Sequence, residues 1–80
     1  MSLLDLTLTI VKSLVEDADS VTAKEFEEDN GVVIEVMVPE ASAGGVIGKD
    51  GKIVNSIRTV VQASSYLKDN KKVKININVF

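Results

Sequence analysis

The residues with the clearest chemical potential form the glycine-flanked segment Val46-Ile47-Gly48-Lys49-Asp50-Gly51-Lys52-Ile53. Glycine carries no side chain, so Gly48 and Gly51 let a ligand approach the main chain closely. The hydrophobic spacing predicts a helix from Lys52 onward, directly after the second glycine. The first N–H groups of a helix lack partners and its N-terminus is partly positive, so this turn favours a phosphate. Lys49 and Lys52 add positive charge at the same place.

Three phosphate-binding patterns can be compared with this segment. A P-loop has four residues between its glycines and then Lys-Ser/Thr, but only three residues separate Gly44 from Gly48, and Asp50 follows Lys49. The dinucleotide fingerprint needs a glycine at position 46, which is Val, and a parallel βαβ unit. The GXXG loop of KH domains, which clamps four nucleotides by their backbone, fits the residues and the order of elements. The alternative is an ordinary corner between helices, where glycines only permit a tight turn.

The composition excludes several other kinds of chemistry. The 80 residues include no Cys and no His, so disulfides, the common zinc sites and the Ser-His and Cys-His nucleophile pairs cannot form. No apolar run reaches the roughly 18 residues of a membrane span, and no basic segment opens the chain as in a signal peptide. With 45% apolar and 26% charged residues, we expect one small folded domain that binds a partner and is not an enzyme. We expect no cofactor and no metal.

Charge is distributed unevenly along the chain, although the net charge is only -3. Residues 1–40 contain ten acidic residues and two lysines, which gives -8, and residues 41–80 contain two acidic and seven basic residues, which gives +5. This asymmetry predicts an acidic side and a basic side, and the basic side contains the glycine turn. The alternative is a pair of solvated faces with no partner.

The first half of the chain predicts one helix and two strands. Residues 3–16 show both strand-like and helix-like spacing, and their length favours a helix that ends near Glu16–Asp19. Residues 20–27 and 32–38 alternate or are β-branched, as is typical of strands. Asn30-Gly31 between them can take the positive φ angles of a tight hairpin turn. Residues 1–3 could be partly vector-derived.

The second half predicts two helices and a final strand. Residues 40–47 are small and could form a brief helical turn, followed by the turn at 48–51 and an amphipathic helix from Lys52 to Lys68. We expect the apolar face of that helix at residues 53, 57, 60, 61 and 67, and a break at Asp69-Asn70. Residues 73–79 alternate as a half-buried strand does. The predicted fold is α+β, with the order α-β-β-α-α-β and three helices on one face of a three-stranded sheet.

Three segments carry a resemblance to a known family: the stretch Ile10–Val15, the turn Gly48–Gly51, and Ile57-Arg58-Thr59-Val60-Val61. Residues 1–80 resemble the small stand-alone bacterial KH-domain RNA-binding proteins of the KhpA type. The resemblance implies a type II KH fold and single-stranded RNA binding in the cytoplasm, with a role in post-transcriptional regulation and no cofactor. It also implies a homodimer, or a heterodimer with a larger multi-domain KH protein of the Jag type.

On this hypothesis the RNA backbone lies across the glycine turn and the bases lie against an apolar wall. Arg58 either reaches a phosphate or forms an ion pair with an acidic residue of the first half. The predicted RNA-binding residues are Val46, Ile47, Gly48, Lys49, Asp50, Gly51, Lys52, Ile53, Ile57 and Arg58.

Two positions differ from the pattern of the family. Position 45 is Gly where members commonly carry Lys, and Asp50 places a carboxylate in the phosphate clamp, so we expect weak affinity. These differences leave an alternative open, in which the domain is a protein-interaction or dimerisation module with little RNA affinity. Of the three aromatic residues, Phe26 is predicted to pack in the core or hairpin and Tyr66 at the end of the long helix.

Overall fold

The computed structural model describes all 80 residues as three helices and three strands. Short 3-10 turns at Ala18–Ser20 and Lys49–Gly51 precede β1 and α3. The elements in chain order are α1 (Leu3–Ser13), β1 (Thr22–Glu28), β2 (Gly31–Val38), α2 (Glu40–Ile47), α3 (Lys52–Lys68) and β3 (Lys72–Val79). This order confirms the predicted α-β-β-α-α-β arrangement.

The three strands form one mixed sheet in the order β1-β2-β3. β1 and β2 are joined by a short turn and are antiparallel, with Phe26 opposite Val33. β2 and β3 are parallel, with Ile34 opposite Ile75, because the chain crosses over through α2 and α3 before it returns. β3 is therefore an edge strand, and its free edge lies on the side away from β2.

All three helices pack on one face of the sheet, as predicted. The largest fully buried side chains include Val11 of α1, Val46 of α2 and Val61 of α3, and they share one cluster with the inward side chains of the strands. The strands contribute Val32, Ile34, Val36, Val38 and Ile75 to this cluster. None of the helices is both long and apolar enough to cross a membrane.

α1 is shorter than its hydrophobic pattern predicts. Ser2 caps its start, since the Ser2 hydroxyl accepts a hydrogen bond from the Asp5 N–H at 3.0 Å. The helix ends at Ser13, not near Glu16–Asp19, because the Leu14 N–H bonds three residues back to Val11 and tightens the last turn. The Ser13 hydroxyl also donates to the Ile10 carbonyl at 2.6 Å, which competes with continued helix formation.

The hairpin between β1 and β2 confirms two antiparallel strands but corrects the role of its glycine. The turn consists of Asp29 and Asn30, and neither Asn30 nor Gly31 has a positive φ. Gly31 is instead the first residue of β2, where an added Cβ would overlap the backbone carbonyl of Lys72. Glycine is needed there for the close approach of β3 and not for a special turn conformation.

α2 and α3 position the glycine turn. Residues 40–47 form a full helix despite Gly44 and Gly45, and α3 spans the predicted residues 52–68. The buried face of α3 differs from the prediction, since Val60 and Leu67 are exposed. Its buried residues are Val54, Ile57, Val61 and Ser65. These residues are three and four positions apart, as expected for one face of a helix. The hydrophobic pattern of the sequence predicted a buried face rotated by about a quarter turn around the helix axis from the observed one.

Candidate nucleic-acid interface

The segment from Gly48 to Gly51 forms a turn with three residues in positive-φ conformations. Gly48 has φ 76° and ψ 173°, Asp50 has φ 57° and ψ 25°, and Gly51 has φ 75° and ψ 15°. The Gly51 N–H donates to the Gly48 carbonyl at 3.2 Å, which closes the turn. α3 begins immediately afterwards, and no side chain caps its first turn. The predicted turn is therefore confirmed, together with its position at a helix N-terminus.

The two glycines of this turn serve different purposes. The conformation of Gly48 is essentially restricted to glycine, and an added Cβ would lie 2.6 Å from Ile53 Cγ1. Gly51 is in the left-handed helical region, and the atom nearest to an added Cβ is Asn55 Nδ2 at 3.7 Å. Gly48 is thus fixed by packing as well as by conformation, whereas a Cβ at Gly51 would make only ordinary van der Waals contacts with Asn55 and Val54.

The structure gives physical reasons for both departures from the family pattern. Asp50 occupies the left-handed region, which Asp tolerates better than most residues because its short side chain bonds locally. Gly45 lies against the C-terminal end of α1, where an added Cβ would be 3.1 Å from the Leu14 carbonyl oxygen. A lysine at position 45 would require α1 to shift by a few tenths of an ångström.

Two lysines at the turn are available to an anion. Lys49 and Lys52 are both exposed, and neither forms an ion pair. The one ion pair of the structure joins Lys74 and Glu28 at 3.6 Å, on the opposite side of the sheet. The positive charge beside the turn is therefore not neutralised by a carboxylate of the acidic half of the chain.

The apolar wall is smaller than the sequence predicts. Val46 is fully buried and Ile57 is 4% exposed, and both belong to the hydrophobic core. They face the sheet, so they cannot present surface to a base. Ile47 and Ile53 are half-buried and pack against the edge of the core, and they are the members of the predicted wall that reach the surface.

Arg58 is held by the sheet and not by an acidic residue. Its Nε and Nη2 both donate to the Ile75 carbonyl, at 3.1 and 3.0 Å, and its Nη1 donates to Asn55 Oδ1 at 2.9 Å. The alternative of an ion pair with the first half of the chain is wrong, since no carboxylate lies within 4 Å. The guanidinium spans the groove between α3 and β3 and remains partly exposed.

The free edge of β3 forms the second wall of this groove. The N–H groups of Lys72 and Phe80 donate towards β2, so the alternate residues Val73, Ile75 and Ile77 point their peptide groups outward. Near the start of the strand, Gln62 pairs with this edge, accepting from the Val73 N–H and donating to the Lys71 carbonyl, each at 2.9 Å. Sequence reasoning missed this role of Gln62, because nothing in the pattern reveals which helix faces the edge.

The peptide group of Ile77, unlike those of Val73 and Ile75, has no hydrogen bond to a side chain. It lies on the same free edge of β3, nearer to the glycine turn. Its N–H donor and C=O acceptor are therefore free to form hydrogen bonds with the edge of a nucleobase.

Phe26 and Tyr66 are both more than half exposed. Phe26 is 52% exposed on the face of the sheet opposite the helices, where it lies opposite Val33 in the hairpin, one of its two predicted placements, and not in the core. Tyr66 is 53% exposed on α3. On the helix-free face, Glu35 accepts hydrogen bonds from Asn76 and Asn78 at 2.9 and 2.7 Å. These bonds hold the pKa of the Glu35 carboxyl below its ordinary value.

A comparison with models of protein families identifies the family of the chain. The family model described as the KH domain of KhpA and KhpB matches residues 5–77 of the chain. The chain belongs to this family. The match includes the glycine turn, α3 and nearly all of β3.

Several proteins named as members of this family match most of the chain. The RNA-binding protein KhpA of Caldanaerobacter subterraneus is 40% identical over 73 residues, or 91% of this chain and 96% of that protein. KhpA of Clostridium acetobutylicum is 41% identical over 69 residues, or 86% and 91%. KhpA of Aquifex aeolicus is 40% identical over 62 residues, or 78% of each chain.

Solved structures confirm the fold at lower sequence identity. Crystal structures of Era, one from Aquifex aeolicus with GDP·AlF4⁻ and one with MgGDPNP and a segment of 16S ribosomal RNA, each superpose with a TM-score of 0.67. The match covers 96% of this chain but 29% of the Era chain, at 20% identity. These structures confirm the KH-type α+β fold of the chain.

Proposed function

We propose that this protein is a non-catalytic module that binds single-stranded RNA in the cytoplasm. The observation that carries the proposal is the open, positively charged turn at the N-terminus of α3, found in a chain whose relatives are named RNA-binding proteins. Gly51 has no side chain to keep a phosphate away from the main chain, and Lys49 and Lys52 stand beside it and form no ion pair.

The groove beside the turn supplies contacts for the bases. One wall is α3 and the other is the free edge of β3, where the Ile77 peptide group offers a donor and an acceptor. Ile53 and Ile47 offer apolar surface near the turn. Single-stranded RNA is recognised through exposed base edges and stacking, so an open strand edge next to a phosphate clamp suits this ligand better than a duplex.

We infer that a second KH surface assists the first. One small site gives only modest affinity, and linking two sites raises the effective concentration of the second. A homodimer, or a complex with a larger multi-domain KH protein of the Jag type, would provide such a pair and would suit a role in post-transcriptional regulation. Sedimentation of the chain alone and with such a protein checks this, and a monomer in both samples would contradict it.

The experiment that tests RNA binding reverses one charge in the turn. Lys49→Asp places two carboxylates side by side where a phosphate would lie, and we expect it to abolish retention of short single-stranded RNA in a gel-shift titration. Lys24→Asp is the matched control, since it makes the same change of charge at an exposed position on β1. Lys24→Asp is expected to bind almost as the parent does, and both variants should unfold at the denaturant concentration of the parent.

The neighbouring residue of the turn allows a change of charge in the opposite direction. Asp50→Asn removes the carboxylate but keeps a residue that tolerates the left-handed conformation, so we expect tighter binding and a steeper dependence on salt. NMR amide shifts should concentrate at residues 48–53. Equal binding by the parent and Lys49→Asp would contradict the proposal and favour a protein-interaction role for this surface.

A further inference from the structure

A second depression opens on the groove at the end of α3 that lies away from the glycine turn. Its volume is about 450 Å³, within the range of about 300–1,000 Å³ that small ligands occupy. It is shallow and open to solvent, and Tyr66 contributes the one aromatic ring. The lining residues are Arg58, Thr59, Gln62, Ala63, Tyr66 and Val73.

This depression continues the groove that begins at the turn. Asn55, Thr59, Gln62 and Tyr66 follow one another at spacings of four, three and four residues, so they lie along one face of α3. Arg58 and Gln62 contact β3 from this face, which shows that the stripe borders the free edge. Tyr66 is 15 residues beyond Gly51, or about 22 Å along the helix axis.

The hydrogen-bonding capacity of the strand edge changes along this path. Close to the turn, the Ile77 peptide group is unpaired by any side chain and can be read by a base. In the depression, Gln62 already pairs with the Val73 N–H and the Lys71 carbonyl, and Ser65 also donates to that carbonyl at 2.7 Å. What this end has for a base is therefore the exposed aromatic ring of Tyr66, and stacking on such a ring tolerates any base.

The charges around the depression suit a polyanion. Arg58 stands at its rim between the turn and Tyr66, with its guanidinium directed into the groove, and no carboxylate lines the depression. An RNA strand held at the glycine turn and extended along α3 would thus pass the Arg58 guanidinium before it reaches the Tyr66 ring.

We propose that Tyr66 is a stacking platform for a nucleobase of single-stranded RNA, one that lies beyond the nucleotides held at the Gly48–Gly51 turn. The proposal rests on the proposed function and adds a sequence-tolerant subsite to it. It makes binding depend on RNA length, because only a strand that extends past Arg58 reaches the ring.

The chain provides its own probe for this subsite. Tyr66 is the only tyrosine and there is no tryptophan, so tyrosine emission reports on this position alone. We expect an eight-nucleotide single-stranded RNA to quench the emission, and a four-nucleotide RNA to shift the amides of residues 48–53 while leaving the emission unchanged. Lengthening the four-nucleotide RNA separately at its 5′ or its 3′ end shows which direction leads to the ring.

Substitutions at Tyr66 and Leu67 distinguish a loss of base stacking from a loss of protein structure. Tyr66→Ala should weaken binding of the eight-nucleotide RNA by about 5- to 150-fold and leave binding of the four-nucleotide RNA unaffected, since one base–aromatic stack contributes this much. Tyr66→Phe should retain most of the affinity. Leu67→Ala is the matched control, because Leu67 is 88% exposed and adjacent but does not line the depression.

The possible failures are distinguishable. If the amides of residues 48–53 shift but tyrosine emission does not change, the subsite is wrong and RNA binding at the turn stands. If neither signal responds to any RNA, the proposed function fails and the subsite fails with it. If emission depends on protein concentration and not on RNA, a second copy of the chain occupies the depression and the proposal is overturned.

Discussion

The hairpin turn before Gly31 and the turn from Gly48 to Gly51 both combine glycine with charged and polar residues, yet glycine has a different purpose in each. Gly31 does not have a positive φ, and its missing side chain makes room for the Lys72 carbonyl of the neighbouring strand. Gly48 and Gly51 have positive φ angles, and a Cβ at Gly51 would make only ordinary van der Waals contacts. One turn uses glycine to bring two strands together, whereas the other uses it to expose main chain at a helix N-terminus.

This difference shows that glycine in a turn does not by itself indicate a binding site. In the hairpin, the chain itself fills the space that glycine leaves. At the second turn, Ile53 fills the space at Gly48, whereas a Cβ at Gly51 would fit with ordinary contacts, and exposed lysines lie beside it. A ligand site therefore requires the conformation of the glycine, the free space beside it and the local charge together.

The largest expected effect belongs to the hairpin glycine. Gly31→Ala would push a Cβ into the backbone carbonyl of Lys72, which cannot move aside as the end of a flexible side chain could. We expect it to lower the free energy of unfolding by about 3 kcal/mol or more, a large fraction for a domain of this size. Chemical denaturation followed by circular dichroism measures the change.

Gly44→Ala is the matched control for that substitution. Gly44 lies in α2 and has no atom within 4 Å of an added Cβ, so the alanine should be neutral or slightly stabilising. A Gly31→Ala variant as stable as the parent would show that β3 has room to move and would remove the distinction between the two turns.

Substitution of the two glycines of the glycine turn should lower the stability of the protein by different amounts. Gly48→Ala combines a conformation open almost only to glycine with a contact to Ile53, and we expect a loss of about 1–3 kcal/mol. Gly51→Ala has space for its Cβ but not the preferred backbone angles, and about 1–2 kcal/mol should be lost. Thermal melts at several denaturant concentrations resolve the two.

Gly51→Asn sharpens this test. Asparagine tolerates the left-handed conformation, so stability should return almost to that of the parent, while its side chain covers main chain that glycine leaves uncovered. We expect RNA binding to be weaker than that of the parent. Recovery of both stability and binding would mean that the phosphate does not lie against the main chain at Gly51.

The smallest expected effect concerns the pairing of β2 with β3, the same two strands that meet at Gly31. Asn76 and Asn78 both donate to the Glu35 carboxylate and lower its pKa. Because the pKa is lowered in the folded state, the stabilisation is present above the ordinary Glu pKa and is lost as the pH falls through the lowered value. Asn76→Ala should raise the pKa of Glu35 towards its ordinary range, and an NMR titration of the side-chain carboxyl carbon measures this.

The stability of Asn76→Ala shows how much the side-chain bonds to Glu35 contribute to the pairing of β2 with β3, compared with the close approach at Gly31. Glu35 is only half-buried, so we expect the loss of stability of Asn76→Ala at neutral pH to be much smaller than that of Gly31→Ala. A loss equal to that of Gly31→Ala would mean that side-chain bonds, and not the close approach at Gly31, hold β3 in place.

The sequence predicted the elements better than the surfaces they expose. Alternation and helical spacing are local properties, so β3 and the extent of α3 were predicted correctly. The end of α1 was missed because a hydrogen bond from Leu14 to Val11 ended it before the hydrophobic pattern did. Val46 and Ile57 were assigned to the RNA-binding wall, but their burial depends on how α2 and α3 rotate against the sheet.

For the site, the residue types of the turn were sufficient to predict its position at the N-terminus of α3, and its preference for a phosphate stays a prediction. The roles of Arg58 and Gln62 were not predictable, because both bond to the edge of β3 across 17 and 11 residues of chain. Tyr66 was predicted to pack at the end of the helix, and its exposure beside that edge emerges only when α3 and β3 are placed together.

By itself, the sequence determined that a helix follows two glycines and two lysines, and that β-branched residues at alternate positions form strands. These are properties of neighbouring residues and of the φ/ψ angles that each residue type allows. The tertiary structure decided which glycine faces another strand and which faces water, and which face of α3 borders the free edge of β3. Those outcomes depend on contacts between distant parts of the chain, whose geometry is fixed only when the helices pack on the sheet.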